Sequence, residues 1–205
     1  QSVTLIYVDG TKGWQDIHDS TSNVTGATFI AATGGTVLTC GDFKTHIFTA
    51  NGCFAVSQVG NPVGSNTVSY VVVAGGGGSG DNHGGGGGAG GYRESKAAND
   101  TYTASPLNAT SGPTYNLPVS VQTYPITVGA GGSQMQGAGG GSNGSPSVFS
   151  TITSAGGGVG GRSGVAAAAG GSGAGANGEQ APNAVGAGNT PPVSPSQGNN
   201  GGGSS

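Results

Sequence analysis

The stretch VVVAGGGGSGDNHGGGGGAGGYRES, residues 71–95, runs a β-branched segment straight into glycine. Twelve of the eighteen residues at 74–91 are glycine. Glycine loses more conformational freedom on folding than any other residue, about 0.5–1 kcal/mol beyond alanine in a regular element. A sequence this hard to order either stays disordered or orders by a route that side chains would block. That route is very close approach of backbones. Polyproline-II geometry supplies it, with three residues per turn, about 3.1 Å rise and no internal hydrogen bonds. Strands without side chains can pack as a bundle and bond to one another, so that every buried backbone group finds a partner. One reading of residues 71–95 is thus a polyglycine-II bundle with loops at its ends. The other is a low-complexity linker.

The rest of the chain favours order. Glycine makes up 47 of 205 residues, and only 6% are charged, against about 25% in ordinary globular proteins. Glycine blocks recur at 75–78, 84–88, 139–141, 156–158 and 201–203 rather than forming one tract. Between them lie β-prone pieces, YPITV (124–128) and PSVFSTIT (146–153). Tyr92, Tyr102, Tyr115, Tyr124 and Phe149 are unusual in a pure linker, and alanine fills the gaps in AAAAGGSGAGA (166–176). Four alanines between glycines cannot sustain a helix. A polar, loop-like stretch at 92–123 separates the first glycine blocks from the later ones. The closing NTPPVSPSQGNNGGGSS (189–205) reads as a proline-then-glycine tail or linker.

Residues 1–73 carry 9 of the glycines and residues 74–205 the other 38. That shift sets the expected boundaries: a β-rich domain at 1–73, a glycine-rich domain at 74–188 and a tail at 189–205. The fold class is mainly β. A small antiparallel, sandwich-like N-terminal domain is expected to precede packed polyglycine-II strands with short β segments. In the first part, Asp9-Gly10 marks a hairpin turn after VTLIY (3–7), with GWQDI (13–17) as the return strand. Asn51-Gly52 is the strongest hairpin signal and is expected to join FKTHIFT (43–49) to CFAV (53–56). Trp14, Phe29, Phe43, Ile47, Phe48, Phe54 and Tyr70 are the core candidates. Cys40 and Cys53 are the only cysteines. Facing across a hairpin they can form a disulfide; the alternative is two small buried residues.

Five basic residues scattered over the chain give no nucleic-acid footprint. No run of about eighteen apolar residues occurs, so no membrane-inserted helix is expected. His18, His46 and His83 are far apart, and Asp81-Asn82-His83 reads as a polar tip rather than a metal site. Asp16 and Asp19 read as a solvated turn rather than a glycosidase pair. With eight acidic residues, of which only Glu94 and Glu179 are glutamate, a polysaccharide depolymerase is disfavoured. No P-loop spacing occurs, and no helix follows the GxGxxG matches. The N-x-Ser/Thr matches at Asn23, Asn99, Asn108 and Asn143 are weak signals in so polar a chain. No enzyme activity, cofactor or metal is expected. Tyr92, Arg93, Tyr102 and Tyr115 are the receptor-contact candidates, because Tyr and Arg are enriched at binding hot spots. Their alternative role is to anchor the 92–123 insert on the glycine core.

VSYVVVAGGGGSGDNHGGGGGAGGYRES, YPITVGAGG, NGSPSVFSTITSAGGG and NTPPVSPSQGNNGG occur in that order. The series resembles the glycine-rich modules of phage tail-fibre-like structural proteins, in particular large virion proteins of cyanobacterial phages. The resemblance implies a structural, host-attachment role on the virion surface or tail. It implies self-association, with a trimer favoured, contacts to other fibre or tail proteins, and a host-surface glycan or outer-membrane receptor as partner. Phage adhesins built on polyglycine-II strands are the structural analogy, and in them loops at one end of the bundle carry host specificity. Since such proteins continue beyond one module, a chain opening on Gln1 is expected to be a piece of a longer one. The competing class is a secreted glycine-rich matrix or ice-binding protein.

Overall fold

The computed structural model describes residues 5–16, 27–98, 100–136, 140–178 and 184–203. Within them the chain is all β and irregular backbone, with no helix. His18, Asp19, Asn23, Asn99 and Glu179 lie outside the described residues.

The first hairpin forms where the sequence places it. Strands β1 (Leu5–Tyr7) and β2 (Trp14–Asp16) pair antiparallel with Tyr7 opposite Trp14. The Asp9 carboxylate accepts the N–H groups of Thr11 and Lys12 at 2.8 and 2.7 Å and so closes the turn.

The Asn51-Gly52 hairpin does not form. Strand β5 (Phe43–Ile47) pairs instead with β4 (Thr36–Cys40), turning at Gly41, whose φ of +55° suits glycine. The strand after Asn51, β6 (Gly52–Gln58), lies between β3 (Ala31–Thr33) and β12 (Gln122–Thr127). Long-range burial decides this. Pairing with β12 sets Phe54 and Val56 in a core with Tyr124 and Val119. Asn51 takes a different role, its side-chain oxygen accepting the Val128 N–H at 2.8 Å.

The main sheet has the order β14-β13-β12-β6-β3, with β13 at Ser147–Phe149 and β14 at Ile152–Ser154. It therefore crosses the expected boundary at residue 73, and the β-rich first part is completed by strands from beyond the first glycine blocks. A second sheet joins β8 (Tyr70–Val73), β9 (Tyr92–Ser95) and β10 (Asn108–Ala109), and β7 (Thr67–Val68) pairs with β11 (Leu117–Pro118). Tyr70, Val72, Leu117 and Ile152 form a second core cluster. Phe149 joins the two clusters, its ring 5.9 Å from Phe54, 6.0 Å from Tyr124 and 6.5 Å from Tyr70. Of the core candidates, Phe54 and Tyr70 are buried and Phe48 packs against the first cluster. Trp14 and Phe29 are 62% and 65% exposed, and Phe43 and Ile47 are exposed as well.

Five strands continue into or emerge from glycine runs. Residues 74–80 follow β8, 84–91 lead into β9, 129–135 follow β12, 140–145 lead into β13 and 155–161 follow β14. The runs bond to one another with a repeat of three. The N–H groups of residues 74, 77 and 80 go to the carbonyls of 91, 88 and 85, and those of 75 and 78 go to 145 and 142. The carbonyls of 75 and 78 accept from 157 and 160, and those of 76 and 79 from 132 and 135. One run thus meets four neighbours, each at a fixed interval. The interval matches a helix with three residues per turn.

Glycine is required by contact rather than by conformation. A Cβ on Gly75, Gly77, Gly85 or Gly157 would overlap a carbonyl oxygen of a neighbouring run, respectively that of Ala130, Gly158, Gly175 or Gly88. None of these four has φ in the left-handed region. The 189–203 stretch, expected as a tail or linker, is packed as a further part of this bundle. Asn189 donates to Gly171, Asn199 and Gly202 accept from Gly173 and Ala176, and Gln197 is buried.

Candidate functional site

Strand β9 carries two of the contact candidates, and the pleat sends them to opposite faces. In register, Tyr92 and Glu94 face the same way as Val73 and Val71, whereas Arg93 and Ser95 share the face of Val72 and Tyr70. Neighbours in sequence therefore serve separate sites.

On the first face, Glu94 is only 3% exposed and accepts hydrogen bonds from the Tyr92 hydroxyl at 3.0 Å and the Ser105 N–H at 2.9 Å. Tyr102 lies beside it, its ring 5.5 Å from the Lys96 ammonium. Burial, followed by the charges of Glu94 and Asp100 and by Tyr92, raises the Tyr102 pKa. Burial and the Glu94 hydrogen bond raise that of Tyr92. Asp100 accepts the Ser69 hydroxyl at 2.6 Å, and Ser69 in turn accepts the Ala97 N–H. Tyr92 and Ser105 thus meet at the Glu94 carboxylate and tie the insert to the sheet, as the anchoring alternative has it for Tyr92, whereas Tyr102 is 46% exposed and offers its ring to Lys96.

On the opposite face, Arg93 is 7% exposed and lines a cleft of about 580 Å³. Its Nη1 donates to the Thr153 carbonyl at 3.5 Å. The walls come from the β13–β14 hairpin (Thr151, Thr153), from the starts of two glycine runs (Ala155, Gly170) and from the proline-rich stretch (Pro191, Gln197). Gln197 fixes the junction of these walls: its amide donates to the Pro191 carbonyl and accepts the Ala155 N–H, both at 2.8 Å. Sequence reasoning found Arg93 by residue type. It found none of the wall residues, which lie far along the chain and carry no local motif. Tyr115 sits in a turn where its N–H donates to the Gly112 carbonyl, between Thr114, whose carbonyl accepts from the Tyr70 hydroxyl, and Asn116, whose N–H donates to the Ser95 hydroxyl.

Cys40 and Cys53 are free, exposed thiols on different sheets. Cys40 ends β4, which pairs with β5, and Cys53 lies on β6, which pairs with β12 and β3, so the two do not face each other across a hairpin, and neither is buried. Asn108 and Asn143 both use their side-chain amides on the backbone, Asn108 toward Lys96 and Asn143 toward Val159 and Ala169. Among the described residues no three His, Cys, Asp or Glu side chains gather as a metal site. His46 instead packs edge-on to Phe54 at 5.0 Å and bonds the Gly34 carbonyl. No described helix is long and apolar enough to cross a membrane.

The bundle has two ends. One is joined to the sheets. At the other the turns at 81–83 and 162–165 gather, and the Gly178 N–H there reaches the His83 carbonyl. Asn82 and His83 adopt φ of +48° and +59° at this tip. Residues 49–205 match the sequence model of a glycine-rich domain. No curated protein and no solved structure matches the chain.

Proposed function

The chain belongs to the glycine-rich domain family over residues 49–205, and from that premise we propose that it is a non-enzymatic structural module of a phage fibre that contributes to host-surface attachment. The observation that carries this reading is the backbone-bonded bundle itself. Its runs continue the strands of a sheet at one end and expose polar turns, including Asp81–His83, at the other. Backbone packed so closely makes a stiff spacer, and a polar tip on a stiff spacer is suited to presentation. The three-residue interval of the bonds between runs supports reading them as polyglycine-II strands, in line with the adhesin analogy.

The fibre reading includes self-association, with a trimer favoured, and a place on the particle surface or tail beside other fibre proteins. Its partner is a glycan or protein of the bacterial outer surface. The test is adsorption. Labelled chain should bind cyanobacterial cells and slow the uptake of phage that carry this module. A variant with Asn82→Ala and His83→Ala should lose that competition while keeping its fold. Equal binding to unrelated bacteria, or release of reducing sugar from the envelope, would sink the reading.

A further inference from the structure

A guanidinium inside a protein is costly unless a counter-charge or a full set of hydrogen bonds offsets its lost hydration. Arg93 is almost wholly buried, and among the described residues its one hydrogen bond is the 3.5 Å contact to the Thr153 carbonyl. Its neighbour Glu94 points to the other face and is held there by Tyr92 and Ser105. Among the described residues no Asp or Glu lines the cleft, and Arg93 is the only charged one that does. The site is therefore electropositive and open at its mouth.

We infer that this cleft binds a carboxylate-bearing saccharide, with the Arg93 guanidinium as the partner of the carboxylate. Three features select that chemistry. A single planar guanidinium matches a monoanionic carboxylate, which it can hold through two parallel N–H···O bonds. A phosphate dianion would call for further cations, and none lines the cleft among the described residues. Thr151 and Thr153 line the cleft at the exposed hairpin, and among the described residues their hydroxyls make no hydrogen bond, which leaves them for the hydroxyls of a sugar. Pro146, Pro191 and Val193 add apolar wall for the C–H face of a ring. The volume of about 580 Å³ lies within the roughly 300–1,000 Å³ of small-molecule sites. The walls are also fixed in advance, because Gln197 ties the proline-rich stretch to the start of the 155–161 run.

The saccharide identity rests on the attachment reading, while the carboxylate follows from Arg93 alone. The experiment titrates the full chain with glucuronate and galacturonate oligosaccharides, their methyl esters and sodium acetate, followed by amide NMR shifts. The acidic sugars should bind in the millimolar range or tighter and shift Thr151, Thr153 and Gln197. The esters and acetate should bind at least about 10-fold more weakly. Arg93→Gln should weaken binding on the order of 10–100-fold, and Arg93→Lys should fall between, since it keeps charge but loses the fork. If Arg93→Gln does not fold, the double variant Thr151→Ala with Thr153→Val at the exposed rim carries the test and should weaken binding without altering the spectrum elsewhere. Esters that match the acids, acetate that matches the sugars, no shift with any uronate, or a rim variant that binds like wild type would each overturn the proposal. Cell binding separates it from the attachment reading. Cells that bind wild type and Arg93→Gln alike remove the cleft and leave attachment standing. Uronate binding without cell binding does the reverse.

Discussion

A Cβ built on Gly157 overlaps the carbonyl oxygen of Gly88, whereas one on Gly86 meets nothing within 4 Å. The two positions should respond in opposite directions to the same substitution. Gly157→Ala forces backbone apart in the middle of the bundle and should cost more than about 3 kcal/mol. Gly86→Ala restricts the unfolded chain without a clash and should add about 0.4–1 kcal/mol. Urea midpoints of the two variants check both signs. Tyr102 gives a prediction in pH. Its pKa is raised in the folded chain by burial, then by the charges of Glu94 and Asp100. The unfolded state therefore ionises first, at about pH 10. The contribution of Tyr102 is fully present below that value and is lost as pH rises through the folded pKa. Melting temperature should fall on the alkaline side, and Tyr102→Phe should make that fall shallower.

The β4–β5 hairpin illustrates what elements need beyond themselves. A two-stranded sheet alone is marginal in water. Its inner face is held by His46, which packs on Phe54 and bonds the Gly34 carbonyl. The opposite face, which by register carries Leu38, Phe43 and Ile47, is exposed, with Leu38 at 54%. If copies of the chain associate through this face, Leu38→Lys should reduce the assembled mass, to about a third for a trimer, without changing the far-ultraviolet spectrum; sedimentation equilibrium measures it. The hairpin also shows where sequence reasoning stopped. Local turn chemistry located the Asp9-Gly10 hairpin correctly. It misassigned Asn51-Gly52, because the partner of β6 is β12, nearly seventy residues on. Aromatic content proposed Trp14, Phe29 and Phe43 as core, but hydrophobicity does not say which strands will close over a ring. Tyr124, Phe149 and Ile152 closed over Phe54 and Tyr70 instead.

For the whole molecule, the glycine blocks were legible because only glycine permits such contact. The choice of neighbours was not, since a residue without a side chain carries no pairing code. Arg93 was legible as a binding residue type, but its cleft was not, since Thr153 and Gln197 arrive from other parts of the chain. Bundle order makes a direct prediction for amide exchange. The N–H groups of Gly157, Gly158, Gly160 and Gly161 all bond to neighbouring runs, so they should exchange only on global unfolding, and the tip at 81–83 should exchange fast. Rapid exchange throughout 155–161 would mean that the bundle does not persist in solution. The three-residue interval also constrains how such a chain can change in length. At three residues per turn, each residue advances the bonding direction by about 120°. Inserting or deleting one or two residues within a run would rotate every later N–H toward the wrong neighbour. A change of three slides the run along its axis and leaves each donor facing the run it already bonds. The bundle therefore reads its own sequence in triplets, and length variation among related modules should fall in multiples of three inside the runs and be unrestricted at the turns.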